Sequence, residues 1–388
     1  MIAMLAWTIA IVAALPGLAL VAELLAGLAR DSGTPLTLPP PPIAVLVPAH
    51  DEAAGIARTI FRIRQQLRAT DRVIVIADNC TDDTAARAAG AGAAVIERTD
   101  PARRGKAYAL AYGREALRAA PPAVVLVVDA DCPPAPQAIP MLAASVHAQD
   151  AVVQATYLLD CAAAAPPLVR ISTFAFLVKN LIRQRGLQRL CGVALLQGSG
   201  MGFPWRLFAD APLASASLVE DMELGLTLAL GGNAVRFEPR ACFVSAASSS
   251  RATISQRTRW EHGAIGVAGR FVPRLVAAGF SGRPRLLLLA TDLIIPPLAL
   301  FVVAEASVAA LLLFAATNGS VAGPAVLQSS VFALAMLVLG IVWVGFGRHL
   351  VPARALPGIL AYVLWKLPIY AAYLLHRQRH WVRTDRAP

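Results

Sequence analysis

Apolar and polar positions divide this chain of 388 residues into stretches of different grain. Residues 2–22, IAMLAWTIAIVAALPGLALVA, and most of 286–375 are almost without charge, whereas 43–285 alternates short apolar runs with polar loops. Within the alternating part, 43–47, 72–77, 93–97 and 123–128 read as strands, and 54–69, 82–90 and 105–119 carry the spacing of helices. Such alternation predicts an α/β fold, a mostly parallel sheet covered by helices.

The first apolar stretch has the length of a helix that crosses a bilayer and no basic residues ahead of it, which predicts a retained anchor over residues 1–30. Further apolar stretches lie at 286–317, 326–346 and 355–375; Pro296 and Pro297 break the first of these and Lys366 interrupts the last. Three crossings are expected, because a lysine in mid-segment is costly in lipid. Lys366 and Pro368 then leave 355–375 in the interface or folded back. The expected organisation is an anchor at 1–30, a domain at 43–285, transmembrane and interfacial helices at 286–375 and a basic tail at 376–388. TPLTLPPPP, 34–42, reads as a stiff linker. RHLVPAR and the basic tail should face the cytoplasm, as should the 43–285 domain, in an inner or plasma membrane. Residues 168–190 put Leu168, Ile171, Phe174, Leu177 and Leu181 on one face with Arg170, Lys179, Arg183 and Arg189 elsewhere. Such a helix lies in the headgroup layer or packs in a core.

Composition adds to this picture. The hydrophobic fraction of 57% exceeds what soluble domains carry. The net charge of +11 comes almost wholly from arginine, with lysine at 106, 179 and 366. No basic run interleaves with aromatics, so nucleic acid is not an expected partner; anionic membrane lipids are. The five cysteines, Cys80, Cys132, Cys161, Cys191 and Cys242, form no CxxC pair, which argues against a zinc site or a disulfide framework.

Ligands of a parallel sheet bind beyond the carboxyl ends of its strands. Here the loops at those ends read PAHDE, DNCTDD and DADCPP. Capping of the next helix is the alternative reading for Asp82 and Asp83. Asp129 and Asp131, two residues apart in extended chain, would point to one side and could share a divalent cation, and magnesium takes one or two carboxylates beside waters and substrate phosphates. Solvated loop acids are the alternative. Lys106 begins a helix, where its charge opposes the dipole, so a bound anion accounts for it better than helix stability. Glu220, Asp221 and Glu223 fall in the first turn of a helix, where acids are ordinary dipole partners. Gln256, Arg259 and Trp260 share one helical face, suited to a pyrophosphate and a sugar ring or to anchoring at a membrane interface.

The pieces VPAHDE, DNCTDDT, RGKAYAL, DAD, QGSGMGF, VED and QRTRW stand in an order that resembles an inverting family 2 glycosyltransferase with a GT-A fold, over about residues 43–262. The QxxRW piece is similar to that of membrane polysaccharide synthases and ceramide-glucosyltransferase-like enzymes. The resemblance implies a nucleotide-sugar donor, a uridine diphosphate sugar by the place of Asp78, whose carboxylate would accept the imide N–H of uracil. It implies that Pro48, His50 and Glu52 line the nucleoside pocket, His50 by packing, and that Lys106 contacts the nucleotide or its phosphate. Asp129 and Asp131 would hold Mg2+ or Mn2+, Asp131 more directly. Asp221 would be the base, with Glu220 its neighbour, and Gln256, Arg259 and Trp260 would complete the catalytic set. The acceptor would be a lipid or a glycan. The loop 197–203 would lie beside it, or is a tight turn; it lacks the aromatic, cysteine-bearing form of chain-extending synthases, which weighs towards a single transfer. A processive synthase subunit, acting with partner subunits, and a non-catalytic scaffold are the alternatives.

Overall fold

The computed structural model describes residues 2–29, 41–162, 164–247, 250–319 and 321–375, with backbone alone for residues 2, 250–256 and 374–375. Most of the 34–42 linker, the 376–388 tail and the side chain of Gln256 lie outside the described residues. The chain runs α1 (Ile2–Leu28), β1 (Ile43–Ala49), α2 (Ile56–Arg64), β2 (Arg72–Asp78), α3 (Thr84–Gly90), β3 (Ala94–Arg98), α4 (Lys106–Leu117), β4 (Val124–Val127), α5 (Ala138–Gln149) and β5 (Val153–Asp160). Next, α6 (Pro167–Leu177) passes through a π-helical turn (Val178–Arg183) into α7 (Gln184–Cys191). There follow β6 (Met201–Pro204), α8 (Trp205–Ala209), α9 (Glu220–Leu230), β7 (Arg236–Ala246) and α10 (Ser250–Phe280). The last helices are α11 (Arg285–Ile294), α12 (Leu298–Thr317), α13 (Gly323–Val342) and α14 (Gly358–Leu375).

Two compact units emerge. One comprises Asp31–Asp160 with Gly192–Gly263, the other Met1–Arg30, Cys161–Cys191 and Ala264–Gln378. The division differs from the expected 43–285 domain: residues 161–191 and 264–375 group with the apolar helices.

The first unit is built on a seven-stranded, mostly parallel sheet in the order β3-β2-β1-β4-β6-β5-β7. β1, β2, β3 and β4 pair in parallel, as do β5 and β7, and β6 runs antiparallel between β4 and β5. β1 and β4 are buried along their whole length and β2 nearly so, as central strands covered on both faces must be. The polar loops after β1, β2 and β4 therefore open on one edge of the sheet.

In the second unit, three helices are long and apolar enough to cross a membrane, Ala3–Leu28, Leu298–Thr317 and Gly323–Gly347, and a shorter apolar helix spans Gly358–Tyr373. Pro296 and Pro297 separate α11 from α12, as the sequence predicts. The 168–190 segment packs against α1. Close approach is made possible by two glycines: a Cβ on Gly27 would meet the backbone carbonyl of Ile182, and one on Gly186 that of Glu23. At this crossing Arg183 is buried between two acids, its Nε 2.7 Å from Glu23 Oε2 and its Nη2 2.7 Å from Asp292 Oδ1. Lys366 on α14 is buried too, its ammonium 5.6 Å and 5.8 Å from the ring centroids of Tyr362 and Trp365. The aromatic faces shelter a charge that open lipid would penalise.

Candidate functional site

Asp129 and Asp131 follow β4 directly, but not as an extended pair. The chain turns there, with Cys132 N–H donating to Asp129 C=O at 3.0 Å. Each carboxylate is held separately. Lys106, the first residue of α4, forms an ion pair with Asp129 and donates to Gly198 C=O at 2.6 Å. Ser245, near the end of β7, donates from its hydroxyl to Asp131, with 3.2 Å to both the backbone carbonyl and Oδ2. Pro133 and Pro134 end the acidic turn by docking it on β7, where Ala135 N–H donates to Cys242 C=O at 2.9 Å.

The loop 197–200 crosses between these groups. Gly198 has φ +95, a conformation that glycine adopts without strain. A Cβ there would lie 3.2 Å from Asp221 Oδ2, 3.5 Å from Lys106 Nζ and 3.8 Å from Asp129 Oδ2. Three charged groups from α9, α4 and the β4 turn thus converge on one backbone position. The loop itself is pinned from below: Ser199 Oγ accepts Asp129 N–H at 3.1 Å, and buried Gln154 donates to Ser199 C=O and accepts Gln197 N–H. Nothing near Gln154 or Ser245 in the chain marks them, and Ser199 lies in the QGSGMGF piece without any signal there for the role of its hydroxyl.

Charge in this cluster is balanced by burial and pairing. Burial works against the Lys106 ammonium, but Asp129, then Glu220 and Asp221, hold its pKa above the ordinary range. Burial, and then the charge of Asp221, push Glu220 up to about 7, against the pull of Lys106 and Arg259. Glu220 and Asp221 open α9 as the acidic first turn that the sequence predicts. Arg259 on α10 acts on Glu220 electrostatically, and Trp260 carries the Arg257 guanidinium 5.0 Å above its ring.

The ends of β1 and β2 form a second polar group. Pro48 pairs in register with Ile76, and His50 Nδ1 lies 2.7 Å from Asp78 C=O. The Glu52 amide donates to Thr84 Oγ1 at 2.7 Å. Asp78 is buried and takes Arg98 Nη1 at 2.5 Å. Asp82 does brace the next helix, accepting Thr84 N–H at 3.0 Å and Ala53 N–H at 3.1 Å.

Among the described residues, the cluster of three side chains spaced like metal ligands is Asp51, Cys80 and Asp82. Asp51 and Asp82 there are occupied with Thr81 and Ala53 amides, as loop braces. Asp129 and Asp131 have no third ligand in such a cluster among the described residues. Two carboxylates alone fit Mg2+ or Mn2+, whose remaining positions are filled by water and phosphate oxygens; they do not fit a zinc centre.

Known proteins resemble this chain to different extents. The mannosyltransferase PcManGT from Pyrobaculum calidifontis, solved with GDP-Man and Mn2+, is 21% identical with a TM-score of 0.55, over 96% of this chain and 100% of that one. Glucosyl-3-phosphoglycerate synthase from M. tuberculosis is 23% identical with a TM-score of 0.43, over 60% of this chain and 81% of that one. No curated protein matches the chain. Residues 40–263 match the family described as glycosyltransferase like family 2, which covers more than half of the chain. The chain therefore belongs to glycosyltransferase family 2, and is an enzyme of the inverting, nucleotide-sugar-dependent class with a GT-A fold.

Proposed function

We propose that this glycosyltransferase is a multi-pass protein of the plasma (inner) membrane that takes a sugar from a uridine diphosphate donor and passes it, with inversion, to a lipid or glycan hydroxyl at the cytoplasmic face. The observation that carries the reading is the meeting of Lys106, Asp129 and Asp221 around the backbone of Gly198. Their closeness supports giving Lys106 the phosphate, Asp129 the metal and Asp221 the acceptor proton in one site. The three apolar helices support the membrane location, and the GDP-Man and Mn2+ of the Pyrobaculum enzyme support the donor class and the metal.

In this reading Asp129 and Asp131 hold Mg2+ or Mn2+, which when bound stabilises the negative charge of the departing diphosphate. Lys106 faces the same phosphates. Asp221 receives the proton of the acceptor hydroxyl as that oxygen attacks the anomeric carbon from the side opposite the leaving group. Glu220, neutral for much of the time near pH 7, keeps a second full negative charge away from Asp221. Arg259 balances the phosphate charge, Trp260 offers a flat face to the acceptor, and Gln256 completes the QxxRW face. Pro48, Glu52 and Asp78 line the nucleoside.

The purified chain in nanodiscs, given radiolabelled nucleotide sugars and extracted lipids or glycans, should transfer label in a metal-dependent way. Asp131→Asn and Asp221→Asn should each lower the rate by about a hundred- to ten-thousand-fold. Undiminished transfer in both variants, or full activity after chelation, would overturn the mechanism. Products carrying one sugar support single transfer, and long products would mean a processive synthase subunit.

A further inference from the structure

The apolar unit keeps its acids inside. Among its residues, 1–30, 161–191 and 264–378, the acids are Glu23, Asp292 and Glu305, and all are buried. Glu23 and Asp292 flank Arg183, and Glu305 accepts Gln328 Nε2 at 2.5 Å. The exposed charge of the unit is therefore cationic. It gathers where α10 ends and α11 begins, with Arg270, Arg274, Arg283 and Arg285 all exposed. This part of α10 buries Val267, Phe271 and Leu275 inside the unit. The Arg274 and Arg270 guanidiniums lie 4.9 Å and 5.9 Å from the Phe271 ring centroid, so their stems cover apolar surface while their charges stay outside. Phe280, the last residue of α10, is 80% exposed, and Leu288 in the first turn of α11 is 40% exposed. Only α11, about 15 Å long, and residues 295–297 separate this patch from α12, a helix long enough to cross a membrane.

We propose that the end of α10 and its turn into α11 bind anionic phospholipid headgroups, the four arginines taking the phosphates and Phe280 and Leu288 entering the acyl boundary. The proposal rests on the membrane location proposed above and names the lipid class. Cations alone would suit water or an acidic protein. Cations interleaved with exposed apolar side chains suit a headgroup layer, where the ring leaves water and the guanidinium meets phosphate. A guanidinium forks onto a phosphate through two N–H groups and is more weakly hydrated than an ammonium. Each arginine near an anionic surface strengthens binding by about fivefold, an effect that fades within a Debye length. The sequence expects an interfacial helix at 168–190; that segment packs against α1, and the end of α10 carries the pattern instead.

The full chain with Phe280→Cys, labelled with bimane in liposomes of phosphatidylcholine and phosphatidylglycerol, tests this; label on the native cysteines, measured on wild type, is subtracted. Bromine on phosphatidylglycerol should quench the label at least about threefold more than bromine on phosphatidylcholine at the same mole fraction. R274Q/R285Q should bring the two lipids close to equal, R274K/R285K should keep most of the difference, and raised salt should weaken it. Equal quenching by the two lipids in the otherwise unaltered chain would overturn the inference. Quenching by neither would overturn it as well, and would set the patch in water or against an acidic protein. Release of the chain from the liposomes by alkaline carbonate would overturn the membrane location and this inference with it.

Discussion

Lys106 and Asp129 form an ion pair that joins the start of α4 to the turn after β4, with Gly198 C=O as a third partner at 2.6 Å from the ammonium. The cation sits where it shields Asp129 from Glu220 and Asp221. On the proposed function, Lys106 and a divalent metal would compete for the same oxygen until a diphosphate gave the ammonium another partner. Lys106→Met should bind Mn2+ several-fold more tightly than wild type without donor, and UDP about tenfold or more less tightly, because a charge-assisted hydrogen bond is worth about 1.5–3 kcal/mol. Manganese titrations followed by electron paramagnetic resonance, with and without UDP, separate the two effects. Weaker manganese binding by the variant in the absence of UDP would contradict the competition.

Glu220 gives a pH signature. Its folded pKa of about 7 lies above the ordinary 4.5, so between those values the folded chain holds a proton that the unfolded chain has lost. Stability from this group is thus present at low pH and falls as pH rises through about 7. The donor-free enzyme should lose thermal stability between about pH 5 and about pH 8, and Glu220→Gln should flatten that slope. The same variant mimics the protonated form, so its transfer rate should fall far less than that of Asp221→Asn. Equal losses in the two variants would assign Glu220 a share of the proton transfer.

Ser245 positions Asp131 from the opposite side of the acidic turn. Tyr157, kept protonated by burial, donates to Ser245 Oγ at 3.4 Å and leaves the serine proton for Asp131. Groups that orient a metal ligand typically contribute about 10- to 100-fold in metal affinity. Ser245→Ala should weaken Mn2+ binding by about tenfold at unchanged melting temperature, and Ser245→Thr should restore it. A melting temperature that falls while metal affinity holds would mark Ser245 as a packing residue only.

Much of the nucleotide side of the fold is legible in the chain. Apolar runs bounded by polar loops locate β1, β2, β3 and β4 to within a residue or two, and β1, β2 and β4 read most clearly because buried parallel strands must be continuously apolar. The loops PAHDE, DNCTDD and DADCPP open on the edge that such strands predict. The partners that hold those loops are not legible. Ser245 lies 114 residues from Asp131, and Gln154 lies 45 from Ser199. They meet only because β6 enters antiparallel between β4 and β5 and brings β7 to the same edge. The turn at Ala130 is likewise set by docking on β7 rather than by local propensity, which is why an extended pair was the natural expectation there. In the apolar unit, the basic positions of 168–190 suited a headgroup layer, but Arg183 finds its partners on α1 and α11.

That triad carries its own prediction. Arg183 is 11% exposed, Glu23 3% and Asp292 5%, so removing the cation strands two carboxylates in a poorly solvated crossing. Breaking a buried pair in this way costs about 3–5 kcal/mol, whereas replacing every member by apolar residues is often neutral. Arg183→Met should therefore lower the detergent-solubilised protein's melting temperature by several degrees, and Arg183→Lys by less, since the lysine keeps the charge but cannot fork to both acids. The triple variant R183M/E23M/D292L should recover most of the loss, because no stranded charge remains. Gly27 and Gly186 allow the backbone contact on which this recovery depends, so the triple variant combined with Gly186→Leu should not recover. If Arg183→Met melts with wild type while Gly186→Leu alone does not, the crossing is held by its backbone contact and the ions contribute nothing to its strength.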